Sequence, residues 1–401
     1  MSKKPSLFEG LRGTLEQSIE LTRQSLMAYA QSHRHWAIAY SGGKDSSATV
    51  TVIASLLAKG HIQRPESLTV LYADTRMEIT PLAVAAATVM GQLRSMGIDV
   101  RVVLPELDDR FFVYMFGRGV PPPKNRFRWC TSQIKIEPMM KALASLREEA
   151  SQKLLMITGV RLGESAQRDA RIVVSCSRDG AECGQGWFQE STPEAVADTL
   201  APLLHWRVCH VWDWLTLFAP DEGFSTADIA WAYGGDEAQE INARTGCIGC
   251  PLASRDAALA AVIRQPQWSY LQPLMGLRPL YMDLSFNHAN RLRKTEIELR
   301  KDGQPAINPQ RVGPLTIEAR RKGLSAVLGI QDEVNQAAIS LGRPQIDILN
   351  AEEEARIREL IAANTWPRGW DGTEAEGDAL IDKIYGDGTV QPLLAAALEA
   401  R

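Results

Sequence analysis

Residues 35–46 read HWAIAYSGGKDS, and this stretch decides the fold. Its first half, His35–Tyr40, is short and apolar, which is typical of a buried β-strand. A helical pattern covers residues 47–59 and is followed by Gly60, a residue type that commonly ends helices. The stretch therefore predicts a strand, a glycine-containing loop and a helix in direct succession.

The loop between these elements is Ser41-Gly42-Gly43-Lys44-Asp45-Ser46. Backbone amides at a helix start, together with the helix dipole, favour a bound anion. The two glycines let the backbone approach phosphate oxygens, Lys44 adds a positive charge, and a serine hydroxyl can bond a phosphate. The spacing differs from the G-x4-G-K-[ST] pattern of Walker nucleotidases. The loop predicts a phosphate site of another kind, and the alternative is a glycine turn with a capping serine.

Strand-like and helix-like segments keep alternating beyond this unit. This alternation predicts an α/β fold, a doubly wound and mostly parallel sheet with helices on both faces. Ligands of such sheets bind beyond the carboxyl ends of the strands, so the residues after each strand should line one crevice. The strand-like segments are 68–73, 100–104, 154–158 and 200–206, and the helix-like segments are 81–96, 133–146 and 210–217.

Three regions are expected along the chain. Residues 1–34 carry an amphipathic helix, because apolar side chains recur every three to four residues over residues 5–31. Residues 35–255 form the α/β domain and include all the cysteines. Residues 256–401 show no strand alternation and are predicted to form a helical carboxyl-terminal region, with helices at 257–263, 315–337 and 351–363.

The composition narrows the class of protein. The 401 residues are 45% hydrophobic and 23% charged, which excludes disordered, collagen-like and coiled-coil chains. The net charge is −4, so any polyanion site must be a local patch. Six cysteines are too few for a disulfide scaffold, and no signal peptide or 18-residue apolar run is visible. We expect a cytoplasmic protein without membrane contact, whose cysteines bind metal, handle sulfur or pack as small apolar groups.

The series of motifs resembles a known superfamily. The glycine loop resembles the pyrophosphate-binding loop of the PP-loop ATP pyrophosphatases. Later segments resemble the phosphoadenylylsulfate reductase branch of that superfamily, and together the matches run from about Trp36 to Pro251. These segments are Asp74-Thr75 with Glu78, Arg128-Trp129-Cys130-Thr131, Gly159-Val160-Arg161 with Glu164-Ser165 and Arg168, and Gly246-Cys247 with Cys250-Pro251.

Within this branch, sulfonucleotide reductases use a thiol near the carboxyl terminus, and no cysteine follows Cys250 in the sequence. The chain more closely resembles the sulfurtransferase of bacterial DNA phosphorothioation (phage-defence) systems, the Dnd and Ssp gene clusters. That resemblance implies ATP pyrophosphatase activity, an iron–sulfur cluster and insertion of sulfur at a DNA phosphate. It also implies a cysteine desulfurase as sulfur donor, and DNA-nicking and ATPase subunits as partners.

Two other functions stay open. The chain could be another adenylating enzyme of the branch, either sulfate adenylyltransferase-like or tRNA-thiolating, which would share the loop but differ in its acceptor. It could also be a non-catalytic ATP-sensing subunit with a structural metal site.

The resemblance assigns roles to individual residues. Gly42, Gly43, Lys44 and Ser46 would hold the pyrophosphate of ATP, and Asp45 or Asp74 would position Mg²⁺. Arg161 and Arg168 would neutralise phosphate charge, unless they form surface ion pairs with Glu164 or Asp169. The predicted catalytic residues are Lys44, Asp45, Asp74, Cys130, Arg161 and Arg168, and the predicted ATP-binding residues are Ser41, Gly42, Gly43, Lys44, Asp45, Ser46, Asp74, Thr75 and Gly159.

Cys247 and Cys250 form a C-x-x-C pair, a common half-site for zinc or iron–sulfur. The preferred ligand set for a [4Fe-4S] cluster is Cys183, Cys209, Cys247 and Cys250, which leaves Cys130 to carry or receive sulfur. An alternative set includes Cys130 and leaves Cys183 or Cys209 as the free thiol. Cys176 and Cys209 are otherwise packing residues, His205 or His210 could contribute a nitrogen ligand, and zinc competes for the same thiolates.

Two basic segments are candidate DNA contacts. The first holds Arg118, Lys124, Arg126 and Arg128 among aromatic residues, a pattern that suits an unpaired strand, although its aromatics could equally pack inward. The second, residues 289–323, has nine basic and four acidic residues, a local net charge of 9 − 4 = +5. Such charge runs are usually solvated helix faces, and Arg320 and Arg321 would be the first phosphate contacts to test.

Overall fold

The structure is a computed structural model that describes residues 14–30, 32–163, 187–189, 195–233, 246–253, 255–296, 298–300, 302–304, 306, 308 and 310–391. The chain divides into two compact units. The first contains residues 1–74, 78–104 and 135–246, and the second contains residues 75–77, 105–134 and 247–401. The second unit thus includes an internal segment, 105–134, that the sequence analysis assigned to the α/β domain.

The first unit is built on a mostly parallel sheet. Its strands in the described residues lie in the order β3-β2-β1-β4-β6-β5, where only β5 runs antiparallel to its neighbour. The central strand β1 pairs with β2 on one side and β4 on the other, so the strand order changes direction at β1. The strands are β1 His35–Tyr40, β2 Ser67–Ala73, β3 Asp99–Val103, β4 Leu154–Ile157, β5 Trp187–Gln189 and β6 Ala197–Ala201.

Helices flank this sheet and bury its apolar strands. Helix α2 is apolar over most of its length, and eleven of its fifteen residues are buried. Two apolar clusters result, a large one that joins α2, α3 and the tryptophans of residues 206–214, and a smaller one under α4. The helices of this unit are α1 Leu15–Ser25, α2 Lys44–Ala58, α3 Thr80–Ser95, α4 Glu137–Ala150 and α5 Val208–Asp213, with short helical turns at Ala219–Asp221 and Asp228–Trp231.

The predicted α/β fold is confirmed, and β1 has the predicted bounds. The strand predicted at residues 200–206 is wrong in its bounds, because β6 ends at Ala201. Pro202 follows it, and proline has no amide hydrogen to continue a ladder of hydrogen bonds. Trp206 instead lies in a turn and donates to the Ser18 carbonyl and to the Thr22 hydroxyl of α1. Trp206, Trp212 and Trp214 are all buried core residues.

The second unit combines helices with short strands. Helix α8 packs along the 3₁₀ stretch Pro266–Gly276, and the turn Val113–Gly117 packs against α8 and α9. Stacked and edge-on aromatic rings, including Phe111, Phe112 and Tyr281, fill the space between these elements. The elements are α6 Ala257–Ile263, α7 Leu277–Phe286, β7 Arg291–Arg293, β8 Val312–Leu315, α8 Ile317–Leu341, α9 Ala351–Ala362, β9 Ala375–Glu376, β10 Lys383–Ile384 and β11 Val390–Gln391.

The absence of strand alternation after Cys250 predicts no strands there, and this prediction is wrong. β7 pairs antiparallel with both β8 and β9, and β10 pairs with β11. These strands are two to four residues long, which is too short for a period-two apolar pattern to be visible.

Two buried arginines stabilise the second unit. Arg320 is fully buried and donates to the carbonyls of Leu315, Gly117 and Thr365, and Arg291 donates to the carbonyls of Gly313 and Ser285. Burial lowers the pKa of each guanidinium to about 10. Both side chains therefore tie backbone segments together from the interior, where an unmade hydrogen bond would be costly.

Within the described residues, no helix is both long enough and apolar enough to cross a membrane.

Gly119 is a position where this packing leaves no room for a side chain. Its φ is +77°, and an added Cβ would clash with the guanidinium of Arg320. We predict that Gly119→Ala lowers the free energy of unfolding by about 3 kcal/mol, because left-handed strain adds to a steric clash in the core. Thermal and denaturant unfolding measure this change.

Gly342→Ala is the matched control. Gly342 also has a positive φ, +59°, but no atom lies within 4 Å of a Cβ added there. Its replacement should cost only about 1 kcal/mol from backbone strain. Equal losses in the two variants would contradict the packing role assigned to Gly119.

Candidate functional site

The glycine loop joins the carboxyl end of β1 to the first turn of α2. Helix α2 begins at Lys44 with Gly43 as its N-cap, and the Ser47 amide makes the first intrahelical bond, to the Gly43 carbonyl at 2.9 Å. The amides before Ser47 lie at the positive end of the helix and have no acceptor within it. Because the strand order changes direction at β1, the loop lies where doubly wound sheets bind their ligands.

Gly42 is required by the shape of this loop. Its φ of +71° is in the left-handed region that favours glycine. An added Cβ would also lie 3.0 Å from the Cβ of Ala86 in α3. The loop therefore combines an unusual backbone conformation with a close approach to the neighbouring helix.

The serines hold the loop closed. The Ser46 hydroxyl donates to the Gly43 carbonyl at 3.0 Å and accepts from the Ser41 amide at 3.2 Å, and the two serine hydroxyls are 3.1 Å apart. The Ser46 side chain thus links the two ends of the loop, and the N-cap residue of α2, Gly43, has no side chain to bond the helix amides.

Three charged side chains meet at the loop. The Asp45 carboxylate lies 3.1 Å from the Lys44 Nζ and accepts a hydrogen bond of 2.5 Å from the Arg161 Nε. Arg161 is 3% exposed and also donates to the Trp206 carbonyl. The structure places Arg161 in the interior and not at the surface. Two cations thus flank one carboxylate at the loop, and cations beside a helix N-terminus favour an anionic ligand.

Gly159 brings the end of β4 against this cluster. A Cβ at this position would lie 2.9 Å from the Asp45 carbonyl oxygen and 2.9 Å from the Thr49 hydroxyl. The Thr49 hydroxyl itself donates to the Asp45 carbonyl at 2.8 Å. Only a residue without a side chain permits this contact, which positions Arg161 two residues later.

The carboxyl end of β2 supplies carboxylates. Burial raises the pKa of the Tyr72 hydroxyl well above its ordinary value, and the Glu78 and Asp74 carboxylates raise it further. Both acids therefore lie near Tyr72, and carboxylate oxygens are ligands that suit Mg²⁺. Asp45 pairs with Lys44 and Arg161, and the choice between Asp45 and Asp74 as the magnesium ligand stays a prediction. Thr75 is buried and belongs to the second unit.

Cys247 and Cys250 lie in one tight turn of the second unit. The Cys250 amide donates to the Cys247 carbonyl at 3.1 Å, and the Gly249 amide donates to the Asp256 carboxylate at 2.9 Å. Gly249 has a φ of +65°, and a Cβ there would lie 2.7 Å from the Cβ of Leu277. The glycine therefore lets the turn pack directly on α7, and both cysteines are half-buried.

Cys130 lies near this turn. Burial raises the pKa of the Cys130 thiol, and the neighbouring Cys250 raises it further. The same two effects act on Tyr281, where burial comes first and Cys247 and Cys250 add to it, so that its pKa lies well above 10. Cys130 is thus close to Cys250, and the buried Tyr281 phenol is close to Cys247 and Cys250, all within the second unit.

Of the remaining predicted ligands, only Cys209 and the two histidines are among the described residues. Cys209 is half-buried in α5 of the first unit, next to His210, whose ring nitrogen bonds the Ser18 hydroxyl at 3.0 Å. Arg168, Cys176 and Cys183, with Glu164 and Ser165, lie outside the described residues. In the described parts of the chain, no group of three or more His, Cys, Asp or Glu side chains is arranged to hold a metal ion. The cluster ligands therefore stay predictions.

The basic segment around residue 126 is a turn with an exposed tip. Lys124 and Phe127 form a β-bridge, and the Lys124 Nζ is turned inward to the Ser285 carbonyl at 3.0 Å. Trp129 packs on Phe111 at 5.3 Å. The tip consists of Asn125, Arg126, Phe127 and Arg128, all exposed, with Phe127 at 47%.

Several basic residues of the segment 289–323 are buried or paired with acids. Arg320 and Arg291 are buried, Lys294 pairs with Glu374, and Arg311 pairs with Glu298. The expectation that Arg320 contacts DNA phosphates is therefore wrong, because its guanidinium faces backbone carbonyls. Arg321 is exposed.

Two aromatic residues at the sites escaped the sequence analysis. The Tyr233 hydroxyl accepts a hydrogen bond from the Lys44 amide, and Tyr281 lies beside the C-x-x-C turn. Both are distant in sequence from the residues that they contact, and neither has a local pattern that could have indicated its place.

Sequence comparisons show similarity to one relative and to one protein family. A relative from Methanocaldococcus jannaschii, an uncharacterized protein, is 26% identical over 223 residues, which are 55% of this chain and 43% of the relative. The chain thus spans less than half the length of that relative. The family described as the phosphoadenosine phosphosulfate reductase domain matches residues 35–218.

Two solved structures show distant similarity. The phosphoadenylyl-sulfate reductase from Candida auris is 11% identical, with a TM-score of 0.34, and the match covers 57% of this chain and 93% of that one. The U34-tRNA thiolase NcsA from Methanococcus maripaludis, solved with its [4Fe-4S] cluster, is 16% identical, with a TM-score of 0.35. This match covers 68% of this chain and 84% of that one. The family match covers residues 35–218, slightly less than half of the chain, and these residues, with the β1 loop among them, are similar to the phosphoadenosine phosphosulfate reductase domain.

Proposed function

We propose that this protein is an ATP pyrophosphatase and sulfurtransferase that replaces a non-bridging oxygen of a DNA backbone phosphate with sulfur. The observation that carries the proposal is the loop at the strand-order reversal. There, glycine backbone, helix amides and the Lys44–Asp45–Arg161 cluster together suit a polyphosphate.

Adenylation makes a phosphate oxygen a leaving group. A non-bridging oxygen of the DNA phosphate attacks the α-phosphorus of ATP, the bond from this phosphorus to the α,β-bridging oxygen breaks, and pyrophosphate leaves with the electron pair. The loop amides and Lys44 would stabilise the charge that develops on pyrophosphate. Arg161 would hold Asp45 and orient Lys44.

Sulfur then replaces AMP. Hydrosulfide attacks the adenylated DNA phosphorus, the bond to the linking oxygen breaks, and AMP leaves with that oxygen while one proton is released. No oxidation or reduction occurs when sulfur enters at the sulfide level. A persulfide from a cysteine desulfurase would first require two electrons from a thiol reductant.

Cys130, Cys247 and Cys250 would hold an iron–sulfur cluster. They fit its thiolate chemistry, since all three are half-buried in one compact unit and Cys130 is near Cys250. When bound, the cluster would supply an iron able to hold sulfide. This set is the alternative that includes Cys130, and it leaves one ligand unassigned. Zinc bound by the same thiolates would serve only structure.

The exposed tip suits the nucleic acid. Arg126 and Arg128 can contact phosphates, and the half-exposed Phe127 ring can stack on an unpaired base. DNA-nicking and ATPase subunits would act with the protein in this proposal, because an unpaired strand must be made available.

Lys44→Ala should reduce pyrophosphate release at least 100-fold. The loop loses the charge that stabilises the departing pyrophosphate, a loss of about 3 kcal/mol. Release is measured with ATP, Mg²⁺ and DNA, with and without partner proteins. Lys59→Ala is the control, since Lys59 is at the other end of α2 in an exposed pair with Glu222. If wild type released no pyrophosphate under any of these conditions, a non-catalytic ATP-sensing role would be favoured instead.

Cys247→Ser and Cys250→Ser should each remove iron and sulfide from anaerobically purified protein and abolish phosphorothioate dinucleotides in cells. Metal analysis, sulfide analysis and mass spectrometry of digested DNA measure these losses. We expect Cys209→Ser to retain the cluster, with Cys183 as the fourth ligand and Cys209 as the free thiol of the alternative set. Loss of iron in Cys209→Ser would support the ligand set that contains Cys209. Zinc without sulfide in the wild type would rule out the cluster.

Arg126→Ala should weaken binding of a short single-stranded DNA and lower the salt slope of log K by about 0.7, the value of one phosphate contact. Phe127→Ala should weaken binding about tenfold or more with an unchanged slope, because stacking is uncharged. Fluorescence anisotropy across a salt series measures both. Arg358→Ala removes the same charge from a helix surface pair with Glu354 and is the control. Identical effects of Arg126→Ala and Arg358→Ala would exclude the tip as a DNA-binding site. If the protein bound RNA more tightly than DNA, a tRNA acceptor would be favoured.

A further inference from the structure

Tyr233 is an aromatic residue that the proposed chemistry does not use. It follows the helical turn Asp228–Trp231 and is 6% exposed. Its ring meets the ring of the buried Trp212 edge-on, with centroids 5.2 Å apart. This packing fixes the ring, so the position of its hydroxyl is set by the core of the first unit.

The Tyr233 hydroxyl lies at the glycine loop. It accepts a hydrogen bond of 3.1 Å from the Lys44 amide, the first amide of α2. This amide is one of the donors that a helix N-terminus offers to a bound anion. An oxygen atom of the protein thus occupies a place where a phosphate oxygen would accept the same bond.

The Tyr233 hydroxyl also lies in the space where a side chain on Gly43 would be. A Cβ on Gly43 would lie 3.2 Å from the Tyr233 hydroxyl oxygen. The absence of a side chain at Gly43 opens room for a ligand to approach the backbone, and the phenol oxygen is in that room. Two independent contacts, one to an amide and one to a side-chain-free backbone, therefore define the position of one oxygen.

The Lys44 side chain is engaged with the same ring. Its Nζ lies 5.1 Å from the centre of the Tyr233 ring and 3.1 Å from the Asp45 carboxylate. The ammonium is thus held by a cation–π contact and an ion pair. In this arrangement, both the backbone amide and the side-chain ammonium of Lys44 interact with groups of the protein itself.

We infer that the Tyr233 hydroxyl occupies the position of a phosphate oxygen, and that pyrophosphate or the polyphosphate of a nucleotide must displace it from the Lys44 amide. The inference rests on the proposed use of this loop for ATP. Tyr233 is accordingly a positioning residue that competes with the ligand. It sets how tightly the loop holds a polyphosphate and so how readily pyrophosphate leaves.

The direction of the effect separates this role from the opposite one. A hydroxyl that stays in place and donates to the phosphate strengthens binding, so its removal would weaken affinity. A hydroxyl that must be displaced weakens binding, so its removal strengthens affinity. Tyr233→Phe removes one oxygen and keeps the ring on Trp212, and it tests this difference with little risk to folding.

Tyr233→Phe should bind inorganic pyrophosphate roughly fivefold more tightly than wild type, since one ordinary hydrogen bond no longer has to be broken. Isothermal titration calorimetry of the full chain with Mg²⁺ and pyrophosphate measures the change. Tyr40→Phe is the matched control, because Tyr40 is also buried and its hydroxyl accepts a hydrogen bond of 3.4 Å from the Ser47 side chain of α2. Its affinity should equal that of wild type.

Hydrogen exchange of the Lys44 amide supplies a second readout. Without ligand, this amide should exchange faster in Tyr233→Phe than in wild type, and pyrophosphate should protect it in both. Unchanged or weaker affinity of Tyr233→Phe, with wild type binding pyrophosphate, would overturn the inference alone. If neither protein bound pyrophosphate or ATP, the proposed function would fail and the inference with it.

Discussion

The first unit depends on one buried ion pair, between Asp45 and Arg161. Asp45 lies in the first turn of the helix that follows β1, and Arg161 follows β4, so the pair joins the two strands between which the sheet reverses direction. Breaking such a pair by removing one partner leaves a buried charge uncompensated, which typically costs several kcal/mol. The close contact at Gly159 exists because no side chain separates the two segments. The ion pair and the contact at Gly159 therefore both hold the segment after β1 against the segment after β4.

The second unit is held together in a different way, by buried guanidinium groups that bind backbone carbonyls and not a carboxylate. Arg291 and Arg320 bind backbone carbonyls, and their lowered pKa shows that burial is only partly compensated. The C-x-x-C turn packs on α7 through Gly249, with the phenol of Tyr281 beside both thiols. Packing against α7 therefore supports the backbone of this turn.

Patterns in the sequence were reliable where they were local. The strand His35–Tyr40 and the loop after it were predicted because apolar runs and paired glycines act over a few neighbouring residues. The strands β7 to β11 were not predicted, since two to four residues carry no period. The charge of residues 289–323 was misinterpreted for a related reason: composition counts charges without distinguishing a buried guanidinium such as Arg320 from an exposed one such as Arg321.

The sequence by itself determined the α/β fold, the loop from Ser41 to Ser46 and the C-x-x-C motif of Cys247 and Cys250. Each of these depends on residues that are close together along the chain. Only the tertiary structure decided that Arg161 pairs with Asp45, that Cys130 lies near Cys250, and that Tyr233 covers the Lys44 amide. These contacts join residues more than a hundred positions apart. Their partners are chosen by packing of the core, which no local pattern encodes.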